Sequence, residues 1–117
     1  MDEYDVQDLL RALLFVYFDD ISTEDPNPKF AGSSARVDFL LRKERIVIEV
    51  KKTGDKTTDG ELGRALKLDI VDYKKRADCD ALVIAIYDRI GRLKNPIGLA
   101  DDLKKVTDDF RVEVVFF

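Results

Sequence analysis

Residues 35–51 read ARVDFLLRKERIVIEVK and contain two strand-forming runs joined by four charged residues. The runs are ARVDFLL (35–41) and IVIEVK (46–51), and RKER (42–45) separates them. Each run is rich in branched and aromatic apolar residues, and a short polar connection between two such runs is typical of a β-hairpin. The segment therefore predicts an antiparallel pair of strands.

The short turn also predicts the register of this hairpin. If Leu41 pairs with Ile46 beside the turn, Asp38 lies directly opposite Glu49. Side chains opposed in this way are about 4.5–5.5 Å apart at Cβ, and a good pair stabilises a sheet by only about 0.2–1 kcal/mol. Two carboxylates at about 5 Å repel each other by about 3 kcal/mol at an effective dielectric constant near 20. A divalent cation between them would make the interaction favourable.

The two faces of the predicted hairpin differ in polarity, because successive strand residues point to opposite faces. One face is wholly apolar and consists of Val37, Phe39, Leu41, Ile46, Ile48 and Val50. The other is apolar near the turn and charged away from it, and consists of Arg36, Asp38, Leu40, Val47, Glu49 and Lys51. This pattern predicts a sheet that is covered on both faces and carries a polar site at one end.

Composition limits the classes of function that are available. The chain has 117 residues, of which 45% are apolar and 38% charged, so we expect a single domain over 1–117 with its own core. No apolar run is long enough to span a bilayer, and the acidic N-terminus is unlike a signal peptide. We therefore expect a cytoplasmic protein with no membrane partner. The single cysteine, Cys79, excludes an internal disulfide.

The chain contains no histidine. This excludes Ser-His-Asp and Cys-His nucleophilic catalysis, the usual zinc sites, and hydrolases that need an imidazole base. Carboxylate, lysine and metal chemistry remain. The net charge of −4 is unevenly distributed, because residues 36–76 are net basic and the flanks are acidic. A basic middle segment can bind a polyanion, although ordinary surface patterning explains the same charges.

The remaining elements follow from hydrophobic periodicity and from turn and capping residues. Thr58 and Glu61 form a capping-box pattern that opens the second helix. The predicted elements are a helix over 3–18, a loop over 19–30, the hairpin, a helix from Thr58 to about Ala77, a central strand over 81–87, a loop over 88–98, a helix over 98–109 and a strand over 112–117. The order α-β-β-α-β-α-β predicts an α/β fold, with a mixed sheet flanked by helices.

The charged face of the hairpin combines the groups that metal-dependent phosphodiester hydrolysis needs. Asp38 and Glu49 supply oxygen ligands for a divalent ion, and the main-chain carbonyl of Val50 can add another. Lys51 shares a face with Glu49, so its ammonium group can stabilise charge on a phosphoryl oxygen or position the attacking water. Arg36 lies opposite Lys51 in the same register. As a sequence pattern, however, the motif is short, and the same residues also occur on strand edges that are exposed to solvent.

In this arrangement of residues the chain resembles the PD-(D/E)XK nuclease superfamily, whose restriction-endonuclease-like core runs α-β-β-β-α-β. It looks most like small nuclease domains of bacterial multidomain proteins. The resemblance covers nearly the whole chain, through EYDVQDLL (3–10), AGSSARVDFLL (31–41), IVIEVKKT (46–53), DIVDYKKRADC (69–79) and NPIGLADDL (95–103).

The resemblance implies that Asp38 and Glu49 ligate Mg²⁺ or Mn²⁺ and that Lys51 is catalytic. It also implies an assisting acid on the first helix, for which Glu3 is the candidate. We expect the remaining phosphate contacts to come from Ser34, Arg36 and Lys52.

The sequence departs from the superfamily pattern at two positions. Val37 stands where the motif name has proline, which leaves the chemistry intact. Ala65 stands near the place where similar domains carry a glutamine, which puts full activity in question. One strand of the superfamily core is also unassigned: either a short segment around Lys29–Ala31 forms it, or it is absent.

The leading hypothesis is a metal-dependent DNA endonuclease of low intrinsic sequence specificity, acting in restriction, defence or repair. Nothing in the motif distinguishes DNA from RNA. The second hypothesis is a nuclease-like module that binds nucleic acid or a partner protein without cutting, and the third is a structural or oligomerisation domain. We further expect a homodimer, and a chain that acts alone or as a domain of a larger protein.

Overall fold

The computed structural model describes residues 3–18, 20–24 and 38–117. These residues form three helices and five strands, and all five strands belong to one sheet. The elements are α1 (Glu3–Tyr17), β1 (Ile21–Glu24), β2 (Asp38–Leu41), β3 (Ile46–Lys52), α2 (Asp59–Lys74), β4 (Ala81–Tyr87), α3 (Pro96–Lys104) and β5 (Arg111–Phe116).

The sheet is mixed, and its strands lie in sequence order from β1 to β5. β1, β2 and β3 pair antiparallel, whereas β3, β4 and β5 pair parallel. The two parallel connections run through α2 and α3, which is how parallel strands are normally joined. The predicted mixed sheet flanked by helices is therefore confirmed.

The sheet is covered on both faces, as the hairpin pattern predicted. On one face, α1 packs through Leu10 and Leu14 against a cluster that contains Phe39 and Val50. On the other face, α2 and α3 cover the larger core, which consists of Leu40, Val47, Leu66, Ile70, Tyr73, Cys79, Leu82, Ile84, Ile86, Leu93, Leu99, Leu103, Phe110 and Val112. No helix in the described residues is long and apolar enough to cross a membrane.

The prediction of a loop over 19–30 was wrong for Ile21–Glu24, which form β1. Four residues are too few for a periodic signal, and the nearby Pro26 and Pro28 indicated a loop. The observed order is thus α-β-β-β-α-β-α-β, with one strand more than predicted. The other candidate for that strand, around Lys29–Ala31, lies outside the described residues, as do positions 35–37 of the first predicted hairpin strand.

Several helix ends also differ from the prediction. α2 ends at Lys74 rather than near Ala77, because the amides of the next two residues bond back to Asp72 and Tyr73 in a tight turn. α3 occupies Pro96–Lys104 rather than 98–109. The Asn95 side chain accepts a hydrogen bond from Gly98 and caps this helix, and proline suits its first turn. The last strand is displaced by one residue, to Arg111–Phe116.

The predicted cap at the start of α2 is confirmed. The Thr58 hydroxyl caps the helix by accepting a hydrogen bond from the Glu61 amide at 3.2 Å. Gly63 permits a close approach of α2 to α3, because a Cβ at this position would lie 3.2 Å from a methyl carbon of Leu99.

Candidate active site

The central geometric prediction concerns the hairpin register, and the structure confirms it. β2 and β3 pair with Leu41 opposite Ile46 and with Asp38 opposite Glu49. The turn between them places Arg45 at a φ of 60°, an uncommon conformation for a residue with a side chain. The Arg45 guanidinium bonds the Asp80 carboxylate at 2.8 Å and also donates to the carbonyl of Ala77. These contacts tie the turn, and with it the register, to the segment that precedes β4.

Glu49 and Lys51 are charged residues inside the fold. Glu49 is fully buried and Lys51 is 8% exposed. The Lys51 ammonium nitrogen lies 4.0 Å from Oε1 of Glu49. Taking such charges out of water costs several kcal/mol per ion, and buried ionisable groups of this kind concentrate at functional sites.

β3 positions this pair through its place in the sheet. It is the one described strand that pairs antiparallel on one side and parallel on the other. The described β2–β3 ladder ends at the Asp38–Glu49 pair, and Val50 is the next residue along β3. The Val50 side chain is fully buried on the α1 face of the sheet. Its backbone is therefore held in place beside the two acids.

β1 adds an acid that the sequence analysis missed. Glu24 is the Cα partner of Asp38, which is in turn the Cα partner of Glu49. Three acidic residues thus form one row across three neighbouring strands. Ile-Ser-Thr-Glu (21–24) is too short to show a strand pattern, and Glu24 becomes informative only once this segment is known to pair with β2.

The remaining predicted site residues occupy different places. Glu3 is the first residue of α1, and Lys52 is the last residue of β3 and is exposed. Ser34 and Arg36 lie outside the described residues. Ala65 is exposed on α2. Among the described side chains, which do not include those of Asp38 and Glu24, no group of three or more His, Cys, Asp or Glu could hold a metal ion.

The loop after β4 lies at the same end of the sheet as Lys51. The Asp88 carboxylate accepts hydrogen bonds from the Thr53 hydroxyl at 2.7 Å and from the amides of Arg92 and Leu93 at 2.9 and 3.1 Å. Partial burial opposes ionisation of Asp88, but these hydrogen bonds outweigh it and hold its pKa below the usual value. Asp88 therefore stays ionised at neutral pH and fixes the shape of the loop.

Comparison with known proteins agrees with this geometry. A family model described as REase_DpnII-MboI matches residues 1–117. No curated protein and no solved structure matches the chain significantly. The match extends over the whole chain, and the fold carries the acid and Glu-x-Lys elements on adjacent strands. The chain therefore belongs to the DpnII-MboI restriction endonuclease family, a restriction-endonuclease-like PD-(D/E)XK family.

Proposed function

We propose that this protein is a divalent-metal-dependent endonuclease that hydrolyses phosphodiester bonds in DNA with little intrinsic sequence specificity. Family membership supports the reaction class, since the family is one of restriction endonucleases. The observation that carries the proposal is the pairing of Asp38 with Glu49 beside the buried Lys51. Restriction, defence or repair are the processes in which such an activity would serve.

The residues at this end of the hairpin fit a hard divalent cation. Asp38, Glu49 and the Val50 carbonyl offer only oxygen ligands, which magnesium and manganese prefer. Restriction endonucleases are generally dependent on divalent metals. A bound ion supplies an acidified water molecule and neutralises charge on the phosphoryl oxygens. It would also offset the repulsion of about 3 kcal/mol between two facing carboxylates.

Lys51 lies close to the proposed metal ligands and carries the positive charge that can stabilise the transition state. Its nitrogen is 4.0 Å from a Glu49 oxygen, so it lies at the edge of the proposed ligand set. An ammonium group in a site with little water interacts strongly with negative charge that develops on a phosphoryl oxygen. Ser34, Arg36 and Lys52 are proposed to hold the flanking phosphates, and Glu3 to assist from α1.

Cleavage of supercoiled plasmid DNA with magnesium or manganese tests the proposal. We expect the wild type to cut, and Lys51→Ala and Asp38→Asn to lose nearly all activity. Lys105→Ala is the matched control, because this exposed lysine follows α3 and lies away from β3. Absence of cutting by the wild type, or undiminished cutting by both site variants, would contradict the proposal. Salt-sensitive DNA binding without any cutting would instead indicate a binding module.

We also propose that the protein acts as a homodimer, since cutting both strands of a duplex requires two active centres or two successive events. Sedimentation equilibrium of the full chain, with and without duplex DNA, tests this. A monomer at high protein concentration under both conditions would contradict it.

A further inference from the structure

A cleft with a basic lining lies where β3 and β4 end. It encloses about 170 Å³ and is lined by Lys52, Thr53, Tyr87, Arg89, Ile90 and Arg92. Three of these six residues are cationic. The carboxyl ends of neighbouring parallel strands are a common place for ligands in open α/β sheets.

The wall formed by the β4–α3 loop is fixed from two directions. Asp88 binds Thr53 and the amides of Arg92 and Leu93, as described above. The Asp59 carboxylate, at the start of α2, accepts hydrogen bonds from the amides of Lys94 and Asn95 at 2.9 and 2.8 Å. The loop is thus anchored to β3 and to α2, so its cations are presented on a preorganised surface.

The two arginines of this cleft differ in whether an acidic residue of the protein already pairs with them. Arg92 donates to the Asp55 carboxylate at 2.6 Å, so much of its charge is compensated within the protein. Arg89 is exposed and makes no hydrogen bond or ion pair with the described part of the chain. Its neighbour Ile90 is 75% exposed, so this part of the loop faces solvent. Arg89 is therefore a cation of this cleft that is available to an external anion.

The position of the cleft relative to the proposed active site gives the distance to such an anion. Lys52 and Thr53 are three and four residues beyond Glu49, and a strand advances about 3.3 Å per residue. The cleft thus begins about 10–13 Å from the proposed metal ligands. A duplex whose cut bond lies at the proposed metal ligands therefore carries flanking phosphates past this cleft.

We propose that Arg89 binds a backbone phosphate of the DNA substrate that flanks the bond that is cut. This inference rests on the proposed function for the identity of the ligand. The contact contributes to affinity and to positioning of the duplex, and it does not read the base sequence. It places one wall of the DNA-binding surface on the β4–α3 loop, outside the hairpin that carries the catalytic residues.

Salt dependence of DNA binding tests this assignment without any cleavage. The affinity for a fluorescently labelled duplex is measured by anisotropy in EDTA, between about 50 and 200 mM salt. The plot of log K against log salt has a negative slope, and loss of one phosphate contact makes this slope less steep by about 0.9. The same loss weakens binding about eightfold near 0.1 M salt. We expect both changes for Arg89→Ala and neither for Arg89→Lys, which retains the charge.

Arg111→Ala is the matched control, because Arg111 is exposed and pairs with Ala81 at the opposite end of the parallel strands. It should leave both slope and affinity unchanged. An unchanged slope for Arg89→Ala, an equal loss for Arg111→Ala, or no binding by the wild type would overturn the inference. Plasmid cutting is scored separately. If Arg89→Ala changes binding as expected but the wild type never cuts DNA, the Arg89 contact is supported and the endonuclease proposal is refuted.

Discussion

Replacing Asp38 by asparagine should stabilise the metal-free protein while abolishing its response to magnesium. The substitution preserves shape and removes one of two opposed charges, because Asp38 is the direct partner of Glu49. It leaves in place the Lys51–Glu49 contact at 4.0 Å. The change in the free energy of unfolding therefore reports the repulsion between Asp38 and its acidic neighbours in the row, Glu49 and Glu24.

The size of the effect follows from Coulomb's law. At a separation of about 5 Å, two unit charges repel by about 0.8 kcal/mol at the dielectric constant of water and about 3 kcal/mol at an effective value of 20. Glu49 is fully buried, which favours the larger figure. We expect Asp38→Asn to raise the unfolding free energy in EDTA by about 1–3 kcal/mol.

Urea unfolding with and without magnesium is the assay. Magnesium at one hundred times its dissociation constant should stabilise the wild type by about 2.7 kcal/mol and leave Asp38→Asn unchanged. Glu44→Gln is the control, since this exposed acid lies in the hairpin turn and away from the proposed ligands. If Asp38→Asn is less stable than the wild type in EDTA, or if magnesium stabilises both proteins equally, Asp38 and Glu49 are not a repelling pair that binds the metal.

Two further predictions concern the helices that hold the site. Gly63→Leu should lower the free energy of unfolding by about 1–3 kcal/mol in urea titrations, because the space beside Leu99 is already filled. Hydrogen bonds from the amides of Lys94 and Asn95 lower the pKa of Asp59. Its stabilising contribution is therefore complete above the unfolded pKa of about 3.9 and is lost as the pH falls through the lower folded value. Asp59→Asn should flatten the pH dependence of stability in that acidic range.

Each of these two variants has a control substitution on the same helix or on the neighbouring one. Gly60→Ala is the control for Gly63, because a Cβ at position 60 meets only the end of the Arg64 side chain at 3.8 Å. It should be neutral or stabilising by up to about 1 kcal/mol. Asp101→Asn is the control for Asp59, since Asp101 is exposed on α3. Equal losses in both glycine variants, or the same acid dependence in Asp59→Asn as in the wild type, would contradict these explanations.

The hairpin could be predicted in detail because its information is local. A four-residue turn and two apolar runs leave one register that keeps the apolar residues of both strands on the same face, and β2 and β3 pair in that register. The continuous apolar run of β4 likewise identified a central strand. These elements carry the acid and Glu-x-Lys motif, so the proposed site could be located from sequence alone.

The features that sequence missed depend on contacts between distant segments. β1 is recognisable only through its pairing with β2, so Glu24 was overlooked as the neighbour of Asp38. The basic cleft unites the end of β3 with a loop that follows β4, and no local pattern connects Lys52 with Arg89. The early end of α3 is instead a local feature: the Val106 amide bonds back to the Leu103 carbonyl, and the Thr107 hydroxyl then accepts a hydrogen bond from the Phe110 amide.

The most direct measurement of the central claim is a crystal structure of the wild-type protein soaked with Mn²⁺, examined by anomalous scattering. We expect a manganese peak between the carboxylates of Asp38 and Glu49, with the Val50 carbonyl among its ligands. We also expect this peak to be lost in Asp38→Asn crystals soaked in the same way. A wild-type crystal that binds manganese elsewhere, or not at all, would contradict the claim that this hairpin is built around a metal ion.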